Sequence, residues 1–308
     1  NAAEKGDIRC LYVIGEDPLT SDPDTNHVKK ALEKTEFLII QDLFFTNTSV
    51  YADVVFPAAS FAEKEGTFTN TERRIQRVRK AVSSPGEAKE DSWIIANFAK
   101  RIIAKSQTKP TETSIYCSWD YEKPINIMNE ISALSPIYGG VTYERIEKGE
   151  NLHWPILNES HPGTPILHVG KFSRGLGKFA AVDHMPPDEQ ANEEYPLILT
   201  TGRVIYHWHG GEMTHRARNL LKMYPESLVE ISPEDAKKYG VKNDQLIKVF
   251  SRRGEIIAKA LITDRISEGL IFATFHFAEN TANFLTNPAL DPVAKIPELK
   301  IAAVRIEV

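Results

Sequence analysis

The sequence predicts an α/β portion followed, after a proline-rich connection, by a mainly β portion that closes as a small barrel. Three features carry this reading: apolar runs separated by one helical-period segment over the first 56 residues, a shift to proline and glycine between Trp154 and Pro196, and a succession of short strands from Leu197 onward. A chain of 308 residues, 42% of them apolar, is long enough for two cored domains. We place these at residues 1–153 and 196–308, with 154–195 as the connecting segment.

In the first portion Leu11, Tyr12, Val13 and Ile14 read as a buried strand, with Cys10 in the core before it, that feeds the turn Glu16-Asp17-Pro18 at Gly15 and opens a gap of phosphate size. Asp24 is the expected N-cap of a helix with Val28, Ala31 and Leu32 on its apolar face, and residues 37–40 form a second strand, giving a βαβ unit with parallel strands. A third strand, 54–56, is stopped by Pro57. The strand ends then bring Gly15, Gln41 with Asp42, and Pro57 with Ala58 to one sheet edge, and open α/β sheets bind ligands beyond the carboxyl ends of their strands. Further on, Ser92 is expected to cap a helix with Ile94, Ile95, Phe98, Ala99, Ile102 and Ile103 on one face, and Pro124 to open another.

The connection carries Pro155, Pro162, Pro165, Pro186, Pro187 and Pro196, with Gly175 and Gly177 near its middle, and is read as wrapping rather than packing. Beyond it, strands are expected at 197–200, 228–231, 246–250, 256–262 and 270–274, with Arg252-Arg253-Gly254 turning a hairpin. Ser232 and Pro233 start a short helix that Gly240 closes. Several short strands with one intervening helix fit a closed barrel.

Charge and cysteine content narrow the function classes. A formal net charge of −5 without long like-charge runs gives no footprint for nucleic acid, and no stretch approaches the roughly 18 apolar residues of a membrane span. Cys10 and Cys117 stand in no CxxC or Cys/His spacing, so Cys117 reads as an ordinary free thiol and a cytoplasmic setting is expected. The chain starts at Asn1 with no leader pattern and is read as beginning partway through a longer gene product.

Five blocks carry a resemblance. GEDPLTSDPD at 15–24, with Ile-Gln-Asp at 40–42, is followed by ADVVFPAASFAEKEGTFTNTERRIQRVRKA from Ala52, HPGTPILHVGKF from His161, PLILTTGRVIYHWHGGEMT from Pro196 and NFLTNPALDPVAKIPELK from Asn283. In this order, over nearly the whole chain, they resemble the molybdopterin oxidoreductases, and their wording is most similar to formate dehydrogenase large subunits. The resemblance implies a Rossmann-like portion followed by a six-stranded double-psi barrel, gripping bis(molybdopterin guanine dinucleotide) with molybdenum or tungsten. It places Gly15, Glu16, Asp17, Ser21, Gln41 and Asp42 on one guanine dinucleotide, and Arg203, His207, His209, Asn283 and Lys300 at cofactor-contacting positions of the barrel.

The chemistry suits those residue types. Pyrophosphate oxygens take backbone N–H groups and cationic or amide donors, while the N1 and N2 donors of guanine take a carboxylate, which Asp17 or Asp42 can supply. Arg203 offers a planar fork for phosphate. The family's metal-ligating selenocysteine or cysteine, its catalytic histidine and the cysteines of its 4Fe-4S cluster lie upstream of these blocks, so this chain holds no catalytic or metal-ligating residue in that scheme. Formate, the remaining domains of the subunit and electron-transfer subunits are the implied partners.

Plainer readings stand beside these. His207 and His209 fall on one face of an alternating strand by default, and the three histidines of HWHGGEMTH lack the cysteines of a zinc motif. The charged stretch 63–79 reads as a solvated loop with local ion pairs, with Asn70 and Arg73 as secondary cofactor candidates. A non-catalytic scaffold that keeps the fold is the alternative to a cofactor-binding part, and a nicotinamide dehydrogenase is disfavoured because no GxGxxG follows a strand.

Overall fold

The computed structural model describes residues 1–106 and 119–308; Cys117 lies outside the described residues. The chain forms two compact units, one built from residues 1–55 and 183–308 and the other from 56–182.

In the first unit a short helix α1 (Ala2–Lys5) precedes strand β1 (Cys10–Ile14), a one-turn helix α2 (Pro18–Ser21), helix α3 (Thr25–Lys34) and strand β2 (Phe37–Asp42). The Asp24 carboxylate accepts from the His27 N–H at the start of α3, the capping role expected of it. β1 and β2 run parallel with Ile14 opposite Gln41, and the sheet order is β1-β2-β3, with β3 at Val54–Pro57. The middle position gives β2 the burial: Leu38, Ile39, Ile40 and Gln41 are buried, whereas β1 is half-buried with exposed ends. Cys10 is therefore an exposed free thiol at the edge, not a core residue.

The second unit contains the antiparallel pair β4 (Gly66–Thr69) and β5 (Ile75–Val78), so the charged stretch is a hairpin rather than a loop. Its ion pairs are real: Arg77 reaches Glu65 and Glu147, and Arg79 reaches Glu147. Arg73, at φ 71, donates from its guanidinium to the carbonyls of Trp154, Thr164 and Pro165 and so clamps the start of the connection. Helix α4 (Asp91–Lys105) begins one residue before Ser92, with Glu90 at the N-cap, and buries Ile94 and Ala96 while Ile102 stays exposed. Helix α5 (Pro124–Leu134) opens on Pro124, and with α6 (Tyr143–Glu147) it packs Met128 and Ile146 around Ile75, Val141, Leu152 and Ile156. Residues 155–196 contain no helix or strand.

The rest of the first unit is a closed barrel. Its strands are β6 (Leu197–Gly202), β7 (Leu228–Ile231), β8 (Leu246–Phe250), β9 (Glu255–Ile262), β10 (Leu270–Thr274) and β11 (Ala302–Glu307), in the order β10-β6-β11-β8-β9-β7. Helix α7 (Arg218–Met223) lies between β6 and β7 in sequence, and α8 (Pro233–Tyr239) follows β7, capped by the Ser232 hydroxyl and closed by Gly240 at φ 73. Leu199, Ile231, Ile247, Val249 and Ile271 fill the interior with Ala258, Ala260, Ala273 and Ala302, the mix of large and small side chains that a narrow barrel needs. β11 is absent from the strands read in sequence: Ala302, Ala303 and Val304 are all buried, so the strand shows no alternation to detect.

Candidate functional site

The carboxyl ends of β1 and β2 form one wall of a pocket. Gly15, at φ 64, continues the ladder by donating to the Gln41 carbonyl at 2.9 Å and turns the chain so that Glu16, Asp17, Ser21 and Asp42 line one cavity. Asp17 is 4% exposed and occupies the N-cap position of α2 without a capping hydrogen bond from its side chain. Its carboxylate accepts from Thr20 Oγ1 at 2.7 Å, the Thr48 N–H at 2.8 Å, the Thr48 hydroxyl and Asn47 Nδ2 at 3.3 Å. Gln41 is fully buried and accepts from the Tyr12 hydroxyl. Asp42 keeps one oxygen on the backbone N–H groups of Leu43 and Phe44, and burial, reinforced by Asp17 and Glu16 nearby, raises its pKa.

The opposite wall is the loop after β6. The alternating strand expected at His207 and His209 is not formed: residues 203–213 are irregular, His207 is buried and His209 is exposed at φ 46. His276 explains the loop. Its Nε2 accepts from the Val204 N–H at 2.9 Å and its Nδ1 donates to the His209 carbonyl at 2.6 Å, so both ring nitrogens hold loop backbone. His207 donates from Nε2 to the Tyr224 carbonyl at 2.7 Å and has Nδ1 3.1 Å from Thr214 Oγ1, with its ring packed on His215 and Phe277.

Between these walls lies a cavity of about 210 Å³ lined by Gly15, Glu16, Asp17, Ser21, Asp42, Leu43, Phe44, Thr46, Trp208, His209, Gly210, Glu212 and Met213. Glu212 comes from the loop, and burial first, then Asp17, Asp42 and Glu16, raises its pKa. The Arg216 guanidinium stacks 4.0 Å from the centroid of Phe44, one of the residues that line the cavity. The arrangement offers acceptors to a ligand rich in N–H and O–H donors, beside two aromatic rings.

The structure thus brings together six of the residues singled out in sequence, Gly15, Glu16, Asp17, Ser21, Asp42 and His209, and keeps the others apart. His207 and Gln41 are buried behind the walls. Asn283, 1% exposed, donates to the Thr20 and Ser21 carbonyls at 2.8 and 3.1 Å and so fixes the turn below Ser21, while its Oδ1 has no hydrogen-bond partner among the described residues. Lys300 donates to the Thr201 carbonyl, and Arg203 is exposed with its guanidinium 5.7 Å from the centroid of Phe275. Glu212, Trp208 and His276 were missed in sequence; Trp208 lies between two named residues and Glu212 within the same block, but His276 is tied to its loop only by long-range contacts. No set of three or more His, Cys, Asp or Glu side chains among the described residues is placed to hold a metal ion. No helix among them is long and apolar enough to cross a membrane.

An α/β portion and a closed barrel that meet at a cavity between strand ends and a barrel loop define the class of architecture, and the comparisons with known proteins place it in a family. Residues 1–101 match the family described as Molybdopterin oxidoreductase, and residues 197–303 match the Molydopterin dinucleotide binding domain. The chain belongs to the molybdopterin oxidoreductases, as its five sequence blocks led us to expect. It is 49% identical, over 97% of its length, to the F420-dependent formate dehydrogenase subunit alpha of Methanocaldococcus jannaschii, and 34% identical, over 99% of its length, to formate dehydrogenase H of Escherichia coli. It spans 43% and 42% of those relatives. Among solved structures, acetylene hydratase from Pelobacter acetylenicus shares the fold with a TM-score of 0.70 at 17% identity, covering 97% of this chain and 44% of that one.

Proposed function

We propose that this chain is the dinucleotide-gripping C-terminal part of a formate dehydrogenase alpha subunit, and that its acidic pocket receives the guanosine end of a molybdopterin guanine dinucleotide. The observation that carries this is the pairing of Asp42 and Glu212 across one cavity, both with raised pKa, where carboxylate acceptors meet a wall of aromatic rings. Guanine presents N1–H and N2–H donors that a carboxylate takes in pairs, and a buried carboxylate gains most from such a partner. Asp42 is the reader rather than Asp17, because the oxygens of Asp17 already accept from Thr20, Asn47 and Thr48. The acceptor set fits the donors of a base and ribose; a pyrophosphate needs cationic or N–H donors instead, of which the Arg216 guanidinium over Phe44 is one.

In this reading residues 1–153 form the Rossmann-like part, 196–308 the double-psi barrel and 154–195 their connection. The bound cofactor, a bis(molybdopterin guanine dinucleotide) with molybdenum or tungsten, supplies the two-electron chemistry by which formate gives carbon dioxide and a proton. This chain's residues bind and orient it; the catalytic side chains, the 4Fe-4S cluster and contacts to electron-transfer subunits belong to the rest of a cytoplasmic enzyme. The scaffold alternative keeps support from one finding: His207 and Asn283, whose retention would argue for cofactor contact, have internal hydrogen bonds that a scaffold would also need.

Calorimetric titration of the 308-residue chain with GDP and ADP separates the two. Guanine-selective binding, weakened at least about tenfold by Asp42→Asn through loss of a charged hydrogen bond, is the expected result. Equal affinity for both nucleotides, or an Asp42→Asn chain that binds GDP unchanged, overturns the assignment.

A further inference from the structure

We propose that His276 is the positioning residue of the pocket, its neutral imidazole bridging Val204 and His209 so that the segment between them and the residues just after it present Trp208, His209, Gly210 and Glu212 as a preformed wall. No strand or helix shapes residues 203–213, and a loop without its own ladder needs its backbone groups satisfied elsewhere. His276 does this from a fully buried position at the end of β10. The chemistry of each contact dictates the state of the ring. Nε2 faces a backbone N–H, which can only donate, so it carries no proton; Nδ1 faces a carbonyl, which can only accept, so it carries one.

A protonated ring would set N–H against N–H at Val204 and release one end of the bridge. The surroundings oppose that state: burial, then His207, His215 and Arg203, hold His276 down to about 4, with only the His209 carbonyl favouring the charge. The backbone of the same residue adds a second contact to the loop. Gly211 has φ +93, and a Cβ there would fall 2.6 Å from the His276 backbone oxygen and 2.6 Å from the His215 ring. The ring of His276 thus holds Val204 and His209 while its backbone lies against Gly211, the residue before Glu212.

The inference rests on the loop's geometry and not on which ligand the pocket takes, so its test uses the ligand-free 308-residue chain. Long-range ¹H–¹⁵N spectra at pH 7 are expected to show His276 as the Nδ1–H tautomer with an unprotonated Nε2. In His276→Phe, amide exchange at Val204 and through 205–212 is expected to rise at least about tenfold, the cost of losing a buried hydrogen bond, while the barrel amides of Leu199, Val249 and Ala260 keep wild-type rates. His276→Gln, whose amide both donates and accepts, restores part of the protection. An Nε2–H tautomer in the wild type, unchanged loop exchange in His276→Phe, or a loss spread evenly over the barrel would each overturn the proposal; the tautomer is read on the wild type and decides the matter even if a variant fails to fold.

Discussion

Two aspartates that read alike in the sequence part company in the folded chain. Asp17 is spent on its own turn, with Thr20, Asn47 and Thr48 around it, whereas Asp42 has one oxygen on neighbouring backbone and a cavity before it. A carboxyl whose pKa is raised on folding binds its proton more readily in the native state, so its ionised form costs stability at pH 7 and that cost fades as pH falls through the folded value. Asp42→Asn removes the charge and keeps an oxygen for the Leu43 N–H. Its Tm at pH 7 is expected to rise, by no more than about 2 °C because solvent screens a half-buried carboxylate, with the gain shrinking towards pH 4. Glu212→Gln should move the same way. Thermal melts at the two pH values check this, and a lower Tm for Asp42→Asn at pH 7 would show that the charge is compensated in the free chain. Asp17→Asn is expected to do the opposite, since it leaves the donors of Thr48 and Thr20 competing for one acceptor oxygen.

Elements with local signals are legible in the amino-acid order itself. The βαβ start, the Asp24 and Ser232 caps, the Pro124 helix start and the 252–254 hairpin all rest on neighbours a few residues apart, and each stands where the sequence placed it. What escaped was non-local: the burial of β2 over β1, the unalternating β11, and the His276 bridge across 72 residues. The tie between the connecting segment and the hairpin belongs with these. Glu189 accepts from Arg253 Nη2 at 2.7 Å, Arg252 Nη1 at 2.5 Å and the Ala303 N–H at 2.9 Å, and Arg253 also donates to the Leu285 carbonyl. Burial alone would raise the Glu189 pKa, but these donors together hold it below the usual range. With the Glu189 and Arg253 side chains 12% and 13% exposed, Glu189→Gln is expected to cost about 2 kcal/mol at pH 7, read as a lower urea midpoint with an unchanged slope. A loss below about 0.5 kcal/mol would reduce the cluster to a surface pair.

At the scale of the molecule these groups set an acid response whose sign can be worked out. His276 falls from about 6.5 unfolded to about 4 folded, so below pH 6.5 the unfolded chain takes up a proton that the native chain refuses. Stability is then lost as pH drops from about 6.5 to 4, by roughly 3 kcal/mol if the bridge acts alone. His215, lowered by burial and by His207, adds in the same direction. Asp42 and Glu212 oppose it, because their raised values make the native chain gain protons over part of that window. Glu189 enters last: its contribution is whole above the unfolded carboxylate value of about 4.3 and is lost as pH falls through its lower folded value. The carboxylates and His215 are common to wild type and His276→Gln, so they cancel when urea unfolding of the two is compared at pH 7, 5.5 and 4.5. The variant is expected to be the less stable at pH 7 and to close the gap as pH falls, since it has no imidazole to protonate. Parallel curves with a constant offset would mean that the ring titrates alike in both states, and the loop would then owe its shape to Gly211 and the barrel rather than to a neutral histidine.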